Sequence, residues 1–371
     1  MKAVFVKTSL LAIIAIMLIS CNNVKRKNSA LNTEVSRIWS LEKAATWGNV
    51  HPWYRGSNFN PSTAVNQLET WQSASFDSAS IDRELGWAGE LGFNCMRVYL
   101  HHLAWEVDKT GFKSRMNTYL GIADRHGIKT IFVFFDDCWN PVYQAGVQPK
   151  PKTGIHNSGW VQDPGSAFYL DNGQFKDSLI PILEAYVKDV LSTFSKDERI
   201  ALWDLYNEPG NTGHGDRSMH LLRSVFKWAR EINPDQPLSV GVWNKDLVNL
   251  NAFQLENSDI ITYHNYADEV NHKQALDSLK HLNKPLICTE YMARPRNSRF
   301  ENIMPLLKEN KIGAINWGLV SGKTNTIYAW DTPVPDGSEP TVWFHDIFRA
   351  DGTAYSPDEI ELIRKLTDKK Q

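Results

Sequence analysis

The sequence is poor in cysteine and has no excess of charge of either sign. Only 4 of its 371 residues are cysteine, which excludes a disulfide scaffold. Cys95, Cys138 and Cys288 lie beside apolar runs and are predicted to be buried free thiols. The 40 Lys and Arg residues nearly balance the 42 Asp and Glu residues, so the chain lacks the basic field that attracts nucleic acid. We expect no nucleic-acid partner.

Several motifs of other chemistries are missing as well. The first apolar run reads Arg55-Gly56-Ser57-Asn58 and carries no Gly-rich phosphate-binding turn. There is no HExxH, EF-hand or zinc-type spacing, and no Gly-x-Ser-x-Gly of a serine esterase. No lysine stands late in an apolar run, where a Schiff-base enzyme would need one. We therefore expect neither a metal nor a cofactor.

The longest apolar run is too short to cross a bilayer. Leu10–Ile19 follows two lysines and ends just before Ser-Cys, which resembles the lipobox of bacterial lipoproteins. We predict that residues 1–20 are a lipoprotein signal peptide, that Cys21 is lipidated, and that residues 21–40 are a flexible tether. The protein would be exported and held at a bacterial membrane by its lipid anchor only. An ordinary signal peptide with a chance cysteine is the alternative.

The rest of the chain is globular and rich in aromatic residues, with 14 Trp, 12 Tyr and 16 Phe. Short apolar runs alternate there with amphipathic stretches of helical spacing. They predict strands at Arg55–Asn60, Asn94–Leu100, Lys129–Phe135, Ile200–Tyr206, Leu238–Trp243, Ile260–His264, Pro285–Glu290 and Gly313–Trp317. This pattern predicts a single α/β domain over residues 41–371, a (β/α)8 TIM barrel. A doubly wound open sheet is the alternative, but it usually carries a Gly-rich phosphate turn.

Helices are predicted between most of these strands, and two more are predicted at the end of the chain, at Phe344–Phe348 and Pro357–Leu366. Residues 139–177 and 318–342 form long connections after strands three and eight. Long loops in a compact domain are usually functional. We expect both connections to line a cleft. If they block one end of that cleft, they favour attack on the end of a substrate chain.

Two glutamates stand where predicted strands end. In a (β/α)8 barrel, the chemistry lies at the carboxyl ends of the strands. Glu208 follows strand four, and Glu290 ends strand seven. Glycoside hydrolysis needs such a pair, because one acid protonates the departing oxygen while the other meets the developing oxocarbenium ion. Taken alone, either glutamate is also compatible with a surface turn or a structural ion pair.

Other polar and aromatic residues stand at the same strand ends. Arg97 lies inside an apolar strand, where it would either form a structural ion pair or hold the strand-seven glutamate ionised. Indole rings would stack on the C–H face of a sugar or simply pack in the core. The candidate substrate-binding residues are Asn58, Arg97, His101, Trp139, Trp160, Asn207, Trp243, His264, Tyr266 and Trp317.

These residues in combination resemble the retaining β-glycosidases of the large (β/α)8 clan, and most closely glycoside hydrolase family 5, the cellulase and mannanase family. The resemblance covers about residues 50–350. It is carried by Arg97, Asn207-Glu208-Pro209, His264-Asn265-Tyr266, Glu290 and Trp317. It implies that Glu208 is the acid/base, Glu290 the nucleophile and Asn207 the partner of the sugar 2-hydroxyl.

The chain departs from this family at the end of strand three. Members often place a histidine there, whereas this chain has Asp136-Asp137-Cys138-Trp139. His101 or His156 would have to substitute from another loop. The segment His156–Trp160 has no counterpart in the resemblance, and we expect it to line the cleft.

The predicted function is hydrolysis of a β-linked poly- or oligosaccharide of the mannan, glucan or xylan type, by a two-glutamate double displacement. The expected partner is this carbohydrate, and the protein is expected to be a monomer. A non-catalytic glycan-binding lipoprotein is one alternative, although it would have no need of both Glu208 and Glu290. A transglycosylase is the other, because it shares the mechanism.

Overall fold

A computed structural model describes residues 37–170 and 172–369 of the chain. Residues from Ser40 onward form one compact unit, and residues 37–39 belong to the segment before it. The predicted signal peptide, Cys21 and most of the predicted tether lie outside the described residues. In the described part, no helix has both the length and the apolar character needed to cross a membrane.

Eight parallel strands form the sheet, in the order β5-β4-β3-β2-β1-β8-β7-β6. They are β1 Arg55–Asn58, β2 Cys95–Tyr99, β3 Lys129–Asp136, β4 Ile200–Asn207, β5 Leu238–Ser239, β6 Ile261–His264, β7 Leu286–Glu290 and β8 Gly313–Trp317. An isolated parallel bridge between Val242 and Tyr263 joins the two end strands, so that the ring is nearly closed. The predicted (β/α)8 barrel is confirmed, and the open doubly wound sheet is wrong.

Helices surround the strands. They are α1 Leu41–Val50, α2 Gln67–Trp71, α3 Ser78–Glu90, α4 His102–Val107, α5 Lys109–Arg125, α6 Ile180–Phe194, α7 Met219–Ile232, α8 Val248–Asn257, α9 Glu269–Lys280, α10 Phe300–Glu309 and α11 Pro357–Leu366. Local chemistry sets their ends: Asp77 accepts a hydrogen bond from the Ser80 amide at 3.0 Å at the start of α3, and Gly92, with φ of 77°, follows its end.

The helix prediction differs from the structure in one helix too many and several too few. The helix predicted at 344–348 is absent from the described chain. Phe348 forms bridges with Val320 and Ala354 instead, so that its backbone is already paired. Conversely, the structure has helices α1, α2, α4 and α8 where none was predicted, and α8 is the longest of these that lies between two strands. Its polar sequence buries only Leu250 and Gln254, which leaves little apolar periodicity to detect.

The core has one layer outside the barrel and a smaller one inside it. The outer layer packs the strands against the helices. The inner layer is an apolar floor made of Tyr54, Cys95, Ile131, Ala201, Leu202, Ile260, Ile287 and Ile315. Because side chains alternate along a strand, Cys95, Arg97 and Tyr99 of β2 all point into the barrel, from the floor upward. Cys95, Cys138 and Cys288 are buried and free, as predicted.

Candidate active site

A buried guanidinium lies at the centre of the barrel, above the apolar floor. Arg97 is fully buried, and its Nε and Nη2 donate to Oδ2 of Asp204 at 3.0 and 2.8 Å. Its Nη1 donates to Oε1 of Glu290 at 2.8 Å. Burial opposes the charge of Arg97, but the neighbouring Tyr99, Asp204 and Glu290 outweigh this effect and raise its pKa. The cation is therefore retained, and β2 is tied to β4 and β7.

Two asparagines complete the shell of Arg97. Asn58 accepts from Nη1 at 2.9 Å and donates to the carbonyls of Thr289 and Asn316. Asn207 accepts from Nη2 at 2.7 Å, while its own amide donates to Oδ1 of Asp136 at 2.9 Å. The orientation of each amide follows from these partners, because a guanidinium only donates and a carbonyl only accepts.

Glu290 is surrounded by donors. Besides Arg97, the hydroxyl of Tyr99 lies 2.9 Å from its Oε1, and the hydroxyl of Tyr266 donates to its Oε2 at 2.7 Å. Its side chain is only 6% exposed. The carboxylate is held in one position by a cation and two phenols, which together stabilise its negative charge.

Glu208 lies in a different environment. Its Oε2 accepts from the thiol of Cys138 at 3.2 Å and from the amide of Asn211 at 2.5 Å. Burial raises the pKa of Glu208, and the hydrogen bonds from Cys138 and Asn211 oppose that rise. Among the described residues no cation donates a hydrogen bond to Glu208, so this carboxyl is better able than a paired one to keep a proton near neutral pH.

His264 lies between the two glutamates. Its Nδ1 is 2.7 Å from Oε1 of Glu208 and 3.5 Å from Oε2 of Glu290. Burial lowers the pKa of His264 to about 4, so the ring is neutral at pH 7. One oxygen of each glutamate and a nitrogen of His264 lie within 4.8 Å of one another. The two carboxyl groups thus face each other across one small space.

The backbone of Glu208 is strained, and hydrogen bonds to Asp137 hold the turn after it in place. Its φ is 45°, which an L residue rarely adopts. Asp137 anchors the turn that follows, because its Oδ2 accepts from the Gly210 amide at 2.8 Å and from the Ser218 hydroxyl at 2.5 Å. Its Oδ1 accepts from the hydroxyl of Tyr206 at 2.6 Å. Burial raises the pKa of Asp137 to about 7.

Two adjoining cavities open above the glutamates. One of about 660 Å³ contains both Glu208 and Glu290, and one of about 840 Å³ contains Glu208 but not Glu290. Both are lined by Trp243, Tyr266 and Trp330. The first is also lined by Asp136, Cys138, Trp139, Asn140, His156, Asn157, Trp160, Asn207, Asn211, Thr212, Trp317 and His345. Together they form a cleft with many aromatic rings, a surface that suits a sugar chain.

Most of the predicted site residues meet in this cleft. Its lining contains Trp139, Trp160, Asn207, Glu208, Trp243, His264, Tyr266, Glu290 and Trp317. The segment His156–Trp160 also reaches it, as expected. Trp160 is only 2% exposed and donates from Nε1 to Asp136 at 2.8 Å, so packing is a large part of its role.

Three of the predicted substrate contacts need correction. Arg97 and Asn58 lie beneath the cleft, where they hold Glu290 and each other rather than face a ligand. His101 is fully buried at the start of α4. Its Nδ1 accepts from the Leu103 amide at 3.2 Å and its Nε2 donates to the Gln162 carbonyl at 3.2 Å. Neither nitrogen is left for a sugar, and His156 is the histidine that reaches the cleft from the loop after β3.

Several functional neighbours were missed by sequence reasoning. Tyr99 was detectable, since it lies two residues after Arg97 and therefore faces the same side of β2. Cys138 contacts Glu208 only because β3 and β4 are adjacent, whereas Asn211 reaches Glu208 within the turn that follows β4. Trp330 and His345 come from irregular chain after β8, where no periodic signal exists.

Two clusters among the described residues bring metal-type ligands together. They are His101, His102 and Asp163, and Glu208, His264 and Glu290. In the first, Asp163 already accepts from the backbone and ring of His102. In the second, each carboxylate has protein donors on both oxygens. Protein hydrogen bonds therefore already engage the carboxylates of both clusters.

A family model described as cellulase (glycosyl hydrolase family 5) matches residues 61–322, more than half of the chain. No curated protein matches the chain at a significant level. Similar solved structures include an endo-1,4-β-D-mannanase from Thermotoga petrophila, with 15% identity, a TM-score of 0.54, and coverage of 85% of this chain and 99% of that one.

Two further structures show the same likeness. A GH5_18 protein from Streptomyces cattleya, solved with Manβ1-4GlcNAc, has 10% identity and a TM-score of 0.58, covering 85% of this chain and 80% of that one. The exo-β-1,4-mannosidase Op5Man5 from Opitutaceae bacterium strain TAV5 has 15% identity and a TM-score of 0.58, covering 85% and 60%. At these identities the likeness establishes a shared fold.

We predict that Arg97→Met lowers the free energy of unfolding at pH 7 by about 3–5 kcal/mol, because it leaves Asp204 buried without its cation. Burial already raises the pKa of Asp204, and the loss of Arg97 raises it more. Acid therefore protonates Asp204 in the variant and removes the cost of burying its unpaired charge. The deficit relative to wild type should therefore shrink between pH 7 and pH 4. Urea unfolding at the two pH values measures both effects.

Arg349→Met is the matched control for this prediction. Arg349 pairs with Glu339 at an exposed position, where an ion pair contributes at most about 1 kcal/mol. Equal losses in the two variants, or a deficit for Arg97→Met that does not change with pH, would contradict the assigned role of the buried guanidinium.

Proposed function

Because the chain belongs to glycosyl hydrolase family 5, the cellulase family, and is a glycoside hydrolase, we propose that it cleaves β-linked glycans with retention of configuration. The observation that carries this proposal is the pair Glu208 and Glu290. The pair faces one space at the carboxyl ends of β4 and β7, beneath an aromatic cleft. Its two members differ in environment in the way that an acid and a nucleophile require.

In the first step, an oxygen of Glu290 attacks the anomeric carbon, the bond to the leaving oxygen breaks, and the proton of Glu208 passes to that oxygen. In the second step, Glu208 takes a proton from water, the water oxygen attacks the anomeric carbon, and Glu290 is released. Tyr266 and Arg97 hold Glu290 in position for attack. Asn207, fixed by Arg97 and Asp136, is proposed to contact the sugar 2-hydroxyl.

The short separation of the carboxylates supports retention over inversion. Inverting enzymes need about 6.5–9.5 Å between the two carboxyl groups to admit a water molecule, whereas retaining enzymes use about 5–5.5 Å. Here an oxygen of Glu208 and an oxygen of Glu290 lie within 4.8 Å of each other, and both carboxylates contact the same nitrogen of His264, which places the two groups close together. Such a close placement suits direct attack by Glu290 on the anomeric carbon.

We propose a mannan-type substrate, ahead of glucan and xylan. Similar folds include an endo-1,4-β-D-mannanase, an exo-β-1,4-mannosidase and a protein solved with Manβ1-4GlcNAc. The test is a panel of β-mannan, β-glucan and xylan with the purified protein. Faster release of sugar from glucan or xylan would overturn the mannan assignment but leave the hydrolase assignment in place.

Transglycosylation remains the second candidate activity. It uses the same first step, with a sugar hydroxyl in place of water in the second. The larger cavity beside Glu208, lined by Trp243, Asn244 and Lys245, offers room for such an acceptor. Product analysis with an added acceptor sugar separates the two outcomes. A purely binding role is disfavoured, since it would not need both buried glutamates.

We propose that the enzyme is exported and lipid-anchored through Cys21, from the lipobox-like sequence at residues 18–21. In a bacterial host that processes lipoproteins, the wild type should partition with the membrane and carry a lipid-modified amino terminus by mass spectrometry. Cys21→Ser should abolish the modification and release the protein from the membrane fraction. An unmodified, soluble wild-type protein would contradict the anchor.

We predict that Glu208→Gln and Glu290→Gln each lower turnover by on the order of 10³-fold, with little change in melting temperature. Glu309→Gln, at an exposed position, is the matched control and should leave turnover unchanged. Azide tests the roles separately. With an aryl glycoside, Glu208→Ala should yield a β-glycosyl azide and Glu290→Ala an α-glycosyl azide. Near wild-type turnover in either Gln variant would refute the assignment.

We predict that Cys138→Ala moves the alkaline limb of the pH–rate profile to higher pH. The thiol hydrogen bond lowers the pKa of Glu208, so its loss raises that pKa and keeps the acid protonated further into the alkaline range. Cys95→Ala, in the barrel floor, is the matched control and should not move the limb. A limb that stays in place or moves to lower pH in Cys138→Ala argues against Glu208 as the acid.

A further inference from the structure

Three long loops meet on one side of the cleft. They are the β1 loop (residues 59–77), the β3 loop (residues 139–170) and the β8 loop (residues 318–342). The β1 and β8 loops are joined by the Lys323 amide, which donates to the Ser62 carbonyl at 3.0 Å, and by the Lys323 ammonium, which donates to Glu69 at 2.6 Å. The β1 and β3 loops are joined by Asn66, whose amide donates to the Gly159 carbonyl at 2.9 Å.

The β3 and β8 loops are joined just as closely. Their hydrogen bonds run from Asn157 N to Thr324 O at 2.8 Å, from Val334 N to Gly154 O at 2.9 Å, from His156 Nδ1 to Tyr328 O at 2.8 Å, and from Asn325 Nδ2 to Lys152 O at 2.9 Å. At Gly154, with φ of 64°, an added Cβ would lie 1.7 Å from the Val334 carbonyl oxygen. The three loops thus form a continuous wall.

The position of this wall relative to Glu208 and Glu290 decides which part of the substrate lies next to it. The cavity that contains Glu290 must hold the sugar whose anomeric carbon is attacked. The cavity that contains Glu208 alone must hold the leaving group, since the acid protonates the leaving oxygen. His156 and Asn157 of the wall line the first cavity only. Trp330 of the β8 loop lines both cavities, and the rest of the second lining lies outside the wall and includes the exposed Lys245.

Asn157 is the most informative residue of the wall. It is 1% exposed and lines the Glu290 cavity, yet neither its Oδ1 nor its Nδ2 has a hydrogen-bond partner among the described residues. Nε2 of His345 is likewise buried without a partner in the same lining. Unpaired buried polar groups cost free energy, so their presence on a cavity wall indicates a polar ligand. An amide can donate to one sugar hydroxyl and accept from its neighbour.

We propose that the wall closes the cleft behind a single sugar, that Asn157 binds hydroxyls of that sugar, and that the enzyme therefore removes one residue at a time from the non-reducing end. The proposal rests on the hydrolase mechanism above and specifies its mode of attack. On this proposal, an internal residue could occupy the Glu290 cavity only if the substrate chain passed through the joined β1, β3 and β8 loops.

The test uses β-1,4-mannohexaose labelled at its reducing end, and the same oligosaccharide with the terminal 4-hydroxyl methylated. We expect mannose as the first small product, labelled products that shorten by one residue at a time, and at least 100-fold slower cleavage of the methylated substrate. Labelled mid-chain fragments at early times, with equal cleavage of both substrates, would overturn the proposal but leave the hydrolase assignment intact. No cleavage of mannohexaose, mannan or p-nitrophenyl β-mannoside would instead count against the proposed function.

Asn157→Ala tests the residue itself. We expect kcat/KM to fall 10- to 100-fold for both p-nitrophenyl β-mannoside and mannohexaose, and by a similar factor for each, because both place a terminal sugar in the Glu290 cavity. Asn249→Ala, a surface amide paired with Asp216, is the matched control. Unchanged kinetics in a folded Asn157→Ala protein would overturn the role of Asn157. If that variant does not fold, Asn157→Asp replaces it, and the methylated substrate still tests the closed end with wild-type enzyme.

Discussion

The buried charge of Arg97 is the constraint around which the barrel interior is arranged. A guanidinium deep in a (β/α)8 barrel is stable only if carboxylates and amides from several strands converge on it. Asp204 of β4 and Glu290 of β7 supply the charge, and the side chains of Asn58, Asn207 and Tyr99 supply the other acceptors. The same contacts that compensate the cation also fix Glu290, the proposed nucleophile, and Asn207, the amide next to the proposed acid. Stability and positioning therefore depend on one set of hydrogen bonds.

The two glutamates differ because their neighbours differ. Glu290 accepts hydrogen bonds from a guanidinium and two phenols, which stabilise its negative charge. Glu208 receives a thiol, an amide and a neutral imidazole, and its burial raises its pKa. Such a contrast between neighbouring carboxyls is how one site holds an acid and a nucleophile at the same pH. The strand ends bring Glu208 and Glu290 together, and the different hydrogen-bond donors around each carboxyl give the two groups different acid–base properties.

The barrel and the loops have separate tasks. Short, paired strands place Arg97, Glu208 and Glu290 with little freedom, and Asp137 holds the turn after Glu208 in its strained conformation. The shape of the cleft, in contrast, depends on loops that are bonded mainly to one another. The β3 and β8 loops approach so closely at Gly154 that a side chain has no space there. Substrate selection can therefore vary through the loops while the reacting groups stay in place.

The sequence by itself determined the barrel and the position of Glu208 and Glu290 at the ends of its strands. Eight apolar runs have a local, readable period, and in a barrel their carboxyl ends must meet at one face. It did not reveal that His101 caps a helix, that Phe344–Phe348 is not helical, or that Cys138 and Trp330 belong to the site. These facts depend on contacts between segments far apart in the chain and on loops without periodicity. Only the tertiary structure decided them, because burial and partner choice are properties of packing and not of local sequence.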